Sequence, residues 1–245
     1  DSLERIMING RSLAGKDTIA DYLVEEYGFK KVSFAEPIYE IARKYFGMKK
    51  KDRKLLQDIG EKFREIDPDI WVKLLIKRLN KHERYVISDV RQANEYIKCK
   101  KQGFIPIRVQ SNLDLRIERC KKRDGVENPD ISLWENKGET GADSFDYYEI
   151  DNNSTLENLY KQIDEFCKKH DIKKPTNFQI LDRVKVVKIA DNNKAKHLTS
   201  YIGQKGHIFS YINFDGYKKY KVIFDNFKEP ETAYFFGAEL ELLNN

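Results

Sequence analysis

Gly10-Arg11-Ser12-Leu13-Ala14-Gly15-Lys16-Asp17-Thr18 is the stretch on which the reading of this chain turns. Its G-x-x-x-x-G-K spacing is that of a Walker A loop, and its surroundings suit one. A short apolar strand, Arg5 to Ile8, leads in, and Ile19, Ala20, Leu23 and Val24 lead out at helical spacing. Glycines at Gly10 and Gly15 let backbone N–H groups, including those of Ser12 and Ala14, curl around phosphate oxygens. The start of the helix adds its dipole. Lys16 supplies a mobile positive charge for the β- and γ-phosphates of ATP. The residue after this lysine usually offers a hydroxyl to Mg²⁺. Here it is Asp17, with Thr18 one step later, and a carboxylate beside phosphates calls for Mg²⁺ between them or an offsetting helix dipole.

Outward from the loop, strand and helix patterns alternate. Lys31–Phe34 reads as a strand, and Pro37–Phe46, Lys54–Glu65 and Ile70–Asn80 read as helices. Strands follow at Tyr85–Ser88, Ile105–Val109 and Tyr147–Ile150, and helices at Asn94–Lys101, Leu113–Lys122 and Leu156–His170. Such alternation predicts an α/β unit with a parallel sheet covered by helices on both faces. The stretch 124–141 is rich in turn residues and lacks periodicity, as a lid or a lid-flanking loop would. Past Pro175 the helical pattern stops. Val184–Ile189, Gly206–Ile212, Tyr220–Phe224 and Ala233–Leu243 read as closely spaced strands of a small barrel. The expected domains are residues 1–172 and 178–245.

Composition narrows the function classes. Of 245 residues, 35% are charged, yet 45 Lys+Arg against 40 Asp+Glu leave only +5. That excess is shared nearly evenly between the two expected domains. Strong non-specific nucleic-acid binding is therefore not expected of the first domain, and it stays open for the second. Apolar runs are too short for a transmembrane helix. Cys99, Cys120 and Cys167 are odd in number and widely spaced, which fits reduced thiols in a cytoplasm-like compartment.

Several further motifs resemble, in order, those of phage-type deoxynucleoside monophosphate kinases. They are Gly15-Lys16-Asp17-Thr18, Ser33-Phe34-Ala35-Glu36-Pro37, the run from Arg53 to Arg64, and Pro68-Asp69-Ile70-Trp71. Ile87-Ser88-Asp89-Val90-Arg91-Gln92-Ala93-Asn94-Glu95 and the run from Ile150 to Leu159 complete the series. The resemblance covers roughly residues 5–168 and implies a P-loop kinase fold, ATP and Mg²⁺ as cofactors, and small-molecule substrates. In that family an aspartate after the loop lysine is usual. Arg53, Gln57, Gly60 and Arg64 share a helical face, which would present two guanidinium groups and an amide to a nucleotide. Phe34 and Trp71 join this substrate-binding set, although Trp71 is also read as a core residue. By resemblance, Asp17 and Asp89 would organise Mg²⁺ (Asp89 alternatively the acceptor), and Arg91 would grip phosphate. Arg116, Arg119 and Arg123, at i, i+3 and i+7, would close on the transferring phosphoryl group. Two departures stand out. Asn128-Pro129-Asp130-Ile131-Ser132 occupies the place of a His-x-Ser-Glu-like signature, and Tyr39 replaces a frequent lysine.

Gly203-Gln204-Lys205-Gly206-His207-Ile208 and the aromatic strands after it resemble small SH3-like barrels with a KOW-type turn. Phe209, Tyr211, Phe214 and Tyr217 are read as core aromatics, with base stacking as the alternative. The expected activity is Mg²⁺-dependent transfer of the γ-phosphate of ATP to a nucleoside monophosphate, ribo or deoxy, with a deoxynucleotide favoured. Two alternatives remain: a P-loop kinase for another phosphorylated acceptor, phosphomevalonate-like, and a non-enzymatic nucleotide-binding switch acting through the barrel. A homodimer is allowed. The Lys/Asn/Ile/Tyr-rich composition suggests an AT-rich phage or its host, hence a host cytoplasm.

Overall fold

The computed structural model describes residues 4–81, 83–129, 131, 141–175, 177–189, 196–214, 217–226 and 229–243. The His-x-Ser-Glu-like position at Asp130 and Ser132, and most of the expected lid stretch, lie outside them. The chain divides into two compact units, residues 1–173 and 174–245.

In the first unit the central strand β1 (Arg5–Asn9) is buried along its whole length, as a parallel strand covered on both faces must be. Around it the order is β2 (Lys30–Val32), β3 (Tyr85–Ile87), β1, β4 (Phe104–Gln110) and β5 (Tyr148–Asp151), all parallel. Alternation along β1 divides the core. Ile6 and Ile8 pack with Ile19, Ala20 and Leu23 of α1 (Lys16–Tyr27) and with Leu159, Ile163 and Phe166 of α7 (Leu156–Lys169). Met7 faces the other way. There it meets Ile38 and Ala42 of α2 (Glu36–Phe46), Ile59 of α3 (Arg53–Ile66), and Trp71 and Leu75 of α4 (Ile70–Lys77). Tyr96 and Cys99 of α5 (Ala93–Lys101) complete that face, and α6 (Leu113–Asp124) follows β4. A one-residue slip of β1 would exchange these two sets, so its register is strongly specified. The chain leaves β1 for β2 on one side, and later crosses from β3 past β1 to β4 on the other. The crevice at its carboxyl end is thus the position where open α/β sheets bind ligands.

Three expectations change at the element level. Val24, expected on the buried face of α1, is 36% exposed. The strand expected over Lys31–Phe34 stops at Val32, because the Asp89 carboxylate accepts the backbone N–H groups of Phe34 and Ala35 and pulls them into a turn. In the second unit, the strand expected over Ala233–Leu243 is broken into β9 (Thr232–Phe236) and β10 (Leu240–Leu242) by a 3₁₀ turn at Gly237–Glu239. The buried Glu239 carboxylate caps that turn by accepting the Phe236 N–H at 2.7 Å.

The second unit is an antiparallel five-stranded, barrel-like sheet. Its order is β10, β6 (Arg183–Val186), β7 (Lys205–Phe214), β8 (Tyr217–Phe224), β9. Phe178, Tyr201, Tyr220, Phe224 and Phe235 supply its aromatic core. Gly203 is left-handed at φ 88°, and a Cβ on Gly206 would strike the Ile223 carbonyl oxygen, so both glycines of the Gly-x-x-Gly turn have a steric reason. Phe209 and Tyr211, expected in the core, are 52% and 50% exposed. A bulge between Ile208 and Ser210 shifts the register there. The side chains of Phe214 and Tyr217 lie outside the described set.

Candidate functional site

The loop between β1 and α1 closes tightly. A Cβ on Gly10 would lie 2.7 Å from the Val109 carbonyl oxygen, and Gly15, at φ 115°, abuts the Asn152 side-chain amide. Leu13 takes a left-handed φ of 63° without being glycine, a local strain of the kind found at ligand-binding turns. Two side chains brace its outer carbonyls. Asn152 Nδ2 donates to Ala14 O at 2.8 Å, and Arg119 donates to Leu13 O at 3.0 Å. The Lys16 ammonium folds back over the loop and donates to Gly10 O at 2.6 Å and Arg11 O at 2.9 Å.

Asp17 lies beside it. Lys31 Nζ approaches Asp17 Oδ1 at 2.8 Å, and the Ser88 hydroxyl donates to the same oxygen at 3.1 Å. Desolvation raises the Asp17 pKa, but Lys31 and Ser88 more than offset it. The carboxyl stays below its ordinary value and is anionic at neutral pH. Ser88, which sequence reasoning passed over, is thus the strand-end group in contact with the loop carboxylate. Ser12 and Thr18 are half-buried on the same turn.

Directly after Ser88 comes Asp89, whose carboxylate accepts from Phe34 N at 3.1 Å and Ala35 N at 3.3 Å. Burial raises its pKa to about 6. Both oxygens accept backbone N–H groups of the turn before α2, so Asp89 anchors that turn. Arg91, two residues on, is exposed. Its own N–H donates to Glu95 Oε2 at 2.8 Å, and the Gln92 N–H donates there at 3.0 Å. Glu95, also missed from the sequence, is 6% exposed, and burial raises its pKa to about 7. The Asp89 charge pushes it further in that direction, while the Arg64 charge opposes it.

The face expected on α3 separates into two kinds of residue. Arg53 and Gln57 are exposed and Arg64 is half-buried, but Gly60 is buried. Trp71 is 2% exposed, donates its indole N–H to Gly60 O at 3.1 Å, and packs against Phe63. Phe34 is 3% exposed and contributes its backbone N–H to Asp89. Phe34, Gly60 and Trp71 are therefore core, which corrects their expected place in the substrate-binding set. The three arginines of α6 also part company. Arg116 is 4% exposed, and Arg119 braces the loop and the Asn152 carbonyl. Of the three, only Arg123 is open to solvent, paired with Asp124 at 2.7 Å. That pairing pushes the Asp124 carboxyl down to about 2, with Arg53 adding to the effect, while Asp17 helps hold the Arg123 pKa up. Arg116 thus lies in the interior, away from the lid position expected of it, while Arg119 rests on the phosphate loop.

A cavity of about 240 Å³ opens beside the loop, lined by Asn9, Gly10, Arg11, Arg108, Ser111 and Asp143 among others. Arg11 forms a two-bond ion pair with Asp143, at 2.9 and 2.5 Å, across 132 positions of sequence. Among the described residues no three His, Cys, Asp or Glu side chains gather around a common metal position. No helix among them is long and apolar enough to cross a membrane.

The substitution Glu95→Gln tests the buried acid. A carboxyl whose pKa rises from 4.5 unfolded to about 7 folded favours the native state below 4.5 and loses that contribution as pH climbs through 7. Groups acting on it are the backbone N–H groups of Arg91 and Gln92 and the charges of Asp89 and Arg64. The amide introduced by Glu95→Gln keeps an acceptor for the two backbone N–H groups and cannot ionise. Thermal unfolding at about pH 5 and about pH 8 should show a smaller pH-dependent loss in the variant, which should be the more stable protein at the higher pH. Parallel pH profiles in the two proteins would refute the assignment.

A strand, a glycine-bracketed phosphate loop and a helix, in a parallel sheet ordered 2-3-1-4-5 with helices on both faces, define a P-loop α/β unit with the architecture of P-loop kinases. The family model described as an AAA domain matches residues 6–140, more than half of the chain, and the chain belongs to that family. No curated protein matches it. Among solved structures, shikimate kinase from Acinetobacter baumannii, in complex with shikimate, is 21% identical over 70% of this chain and 96% of its own, with a TM-score of 0.46. A gluconokinase from Sinorhizobium meliloti is 14% identical over 69% and 95%, with a TM-score of 0.41. The cyanobacterial cytochrome b6f subunit PetP is 27% identical over 27% of this chain and 80% of its own, with a TM-score of 0.24.

Proposed function

We propose that this chain transfers the γ-phosphate of ATP to a deoxynucleoside monophosphate, giving the two diphosphates. The observation that carries the reading is the run Ser88-Asp89-Val90-Arg91 at the carboxyl end of β3. Its first residue touches Asp17 of the phosphate loop, its second fixes the turn before α2, and its fourth stands exposed beside them. A donor site and an arginine-bearing acceptor site in so short a run suit transfer between two phosphorylated molecules better than binding of one.

An oxygen of the acceptor phosphate attacks the γ-phosphorus in line as the bond to the ADP oxygen breaks. The chain supplies position and charge rather than a covalent intermediate. Lys16 swings from the loop carbonyls to the phosphates, and the loop N–H groups hold them. Arg91, Arg53 and Arg64 bind the acceptor, for which fixed bidentate guanidinium groups are suited. Arg123, the exposed arginine of α6, supplies charge to the transferred group. The donor set fits Mg²⁺: an anionic Asp17 with the Ser88 and Thr18 hydroxyls resembles the sparse protein ligation this ion has when phosphates supply the remainder. When bound, it would neutralise phosphate charge. The second unit is read as an SH3-like contact module, and the setting as cytoplasmic deoxynucleotide metabolism in a phage-infected host.

Incubation with ATP, Mg²⁺ and each deoxynucleoside monophosphate separately, with ADP as the readout, tests the proposal. ADP should form with at least one of them well above the ATP-only rate. Turnover only with phosphomevalonate or a similar acceptor would redirect it to the first alternative. Nucleotide binding without any turnover would favour a switch and refute it.

A further inference from the structure

Three consecutive residues, Gly141, Ala142 and Asp143, reach both halves of this site. The Ala142 N–H donates to the Arg91 carbonyl at 2.9 Å. Gly141 runs so close to the same loop that a Cβ on it would lie 3.2 Å from that carbonyl oxygen and 3.4 Å from Gln92 Cα. With Glu95 holding the Arg91 N–H at 2.8 Å, the backbone of Arg91 is fixed from both sides. One residue further, the Asp143 carboxylate grips Arg11 in the phosphate loop through two hydrogen bonds. The Asp143 carbonyl accepts from Arg108 of β4 at 2.6 Å. That guanidinium lies 4.1 Å from the centroid of Tyr147, whose hydroxyl donates to Ala142 O at 2.8 Å. The chain from 141 to 147 is therefore pinned to β4 while its first three residues hold two different loops.

The Arg11–Asp143 pair is poorly placed to serve stability alone. Its side chains are 28% and 35% exposed, and ion pairs that open to water contribute little net energy. Two parallel hydrogen bonds do, however, fix orientation as well as distance. The orientation they fix reaches the reacting group, because the Arg11 carbonyl is one of the two on which Lys16 rests.

We propose that Gly141–Asp143 is a tie between the phosphate loop and the Arg91 loop, that it makes occupation of either substrate site tighten the other, and that Asp143 is its positioning residue. The tie rests on the phosphotransfer reading above and adds to it a coupling between donor and acceptor. Nucleotide phosphates entering the loop reset Lys16 and the Arg11 backbone. The Asp143 grip passes that change to Ala142 and so to the carbonyl of Arg91. By linkage the factor is the same read from either side.

The test is the dissociation constant of the accepted deoxynucleoside monophosphate, with and without a non-hydrolysable ATP analogue. It is measured on the full chain, Asp143→Asn, Asp143→Glu, Arg11→Met and the double variant Arg11→Met/Asp143→Asn. The parent should show coupling of about tenfold, and Asp143→Asn about none, with either ligand alone changed less than about threefold. Asp143→Glu should restore most of the coupling. The double variant should be no worse than either single one, as residues acting as one unit are not additive. An unfolding temperature close to the parent's separates loss of coupling from loss of fold. Coupling retained in Asp143→Asn, or affinity lost equally with and without the analogue, would overturn the tie. A parent that binds both nucleotides independently sinks the tie alone. A parent that binds neither sinks the phosphotransfer reading and the tie with it.

Discussion

Replacing Lys16 with alanine should lower ADP formation in the deoxynucleotide assay about a hundredfold to a thousandfold, the usual consequence of removing one preorganised charge-stabilising group. The fold should survive, for reasons visible in the loop. Lys16 makes two hydrogen bonds, to Gly10 O and Arg11 O, but it is not what shapes the turn. Asn152 holds Ala14 O, Arg119 holds Leu13 O, and the Ala14 N–H closes on Arg11 O at 3.1 Å. All three remain in the variant. Its unfolding temperature should therefore stay within a few degrees of the parent's while turnover collapses. Near-normal turnover from Lys16→Ala would mean that the phosphate loop is not the donor site. An equal collapse of stability would mean that the ammonium holds the loop together instead.

The parts legible in the sequence were those set by local pattern. The five parallel strands could be read because their apolar runs are short, β-branched and separated by helical periodicity. The loop could be read because glycine spacing is a local steric requirement. Phe34 shows where local pattern stops. Lys-Val-Ser-Phe reads as strand, yet a carboxylate 55 positions away takes its backbone N–H into a turn. Arg116, Arg119 and Arg123 do share a helical face, as their spacing says. Spacing does not say that the loop carbonyl of Leu13 lies opposite the second of them. Arg11 and Asp143 meet across most of the first unit, and neither carries a motif signal beyond its charge. Asn152 was within reach, because it lies in the run from Ile150 to Leu159 that carries part of the family resemblance. Its side-chain amide against Gly15 explains why that run follows a strand end so closely. Phe209 and Tyr211 read as core because alternating aromatics in a small barrel commonly are. In β7 the residue that goes in is Ile208, fully buried, and its neighbour Phe209 faces the other way.

Trp71 offers the sharpest choice between core and ligand. It is among the largest fully buried side chains of the molecule and lies in the cluster that holds Met7, Ile38, Ala42 and Leu75. Its ring centroid is 5.3 Å from that of Phe63, and its indole N–H satisfies the carbonyl of Gly60, joining α4 to α3. Truncation to alanine removes the whole ring from a packed face and leaves a cavity that surrounding helices fill only in part. Losses for such changes run about 3–5 kcal/mol. In a unit of this size each kcal/mol shifts the unfolding midpoint by about 2–4 °C, so Trp71→Ala should melt roughly 10 °C lower or fail to accumulate. Trp71→Phe separates the two readings without that risk. Phenylalanine keeps most of the apolar volume and loses the bond to Gly60 O, a cost of about 1 kcal/mol for a neutral hydrogen bond. If Trp71 is core, Trp71→Phe should show a modestly lower unfolding midpoint and a KM for the acceptor within about twofold of the parent's, since a residue that never meets the base has no binding energy to withdraw. If Trp71 stacks on the base, the KM should rise several-fold with the midpoint unchanged, and its assignment here to the core would be wrong.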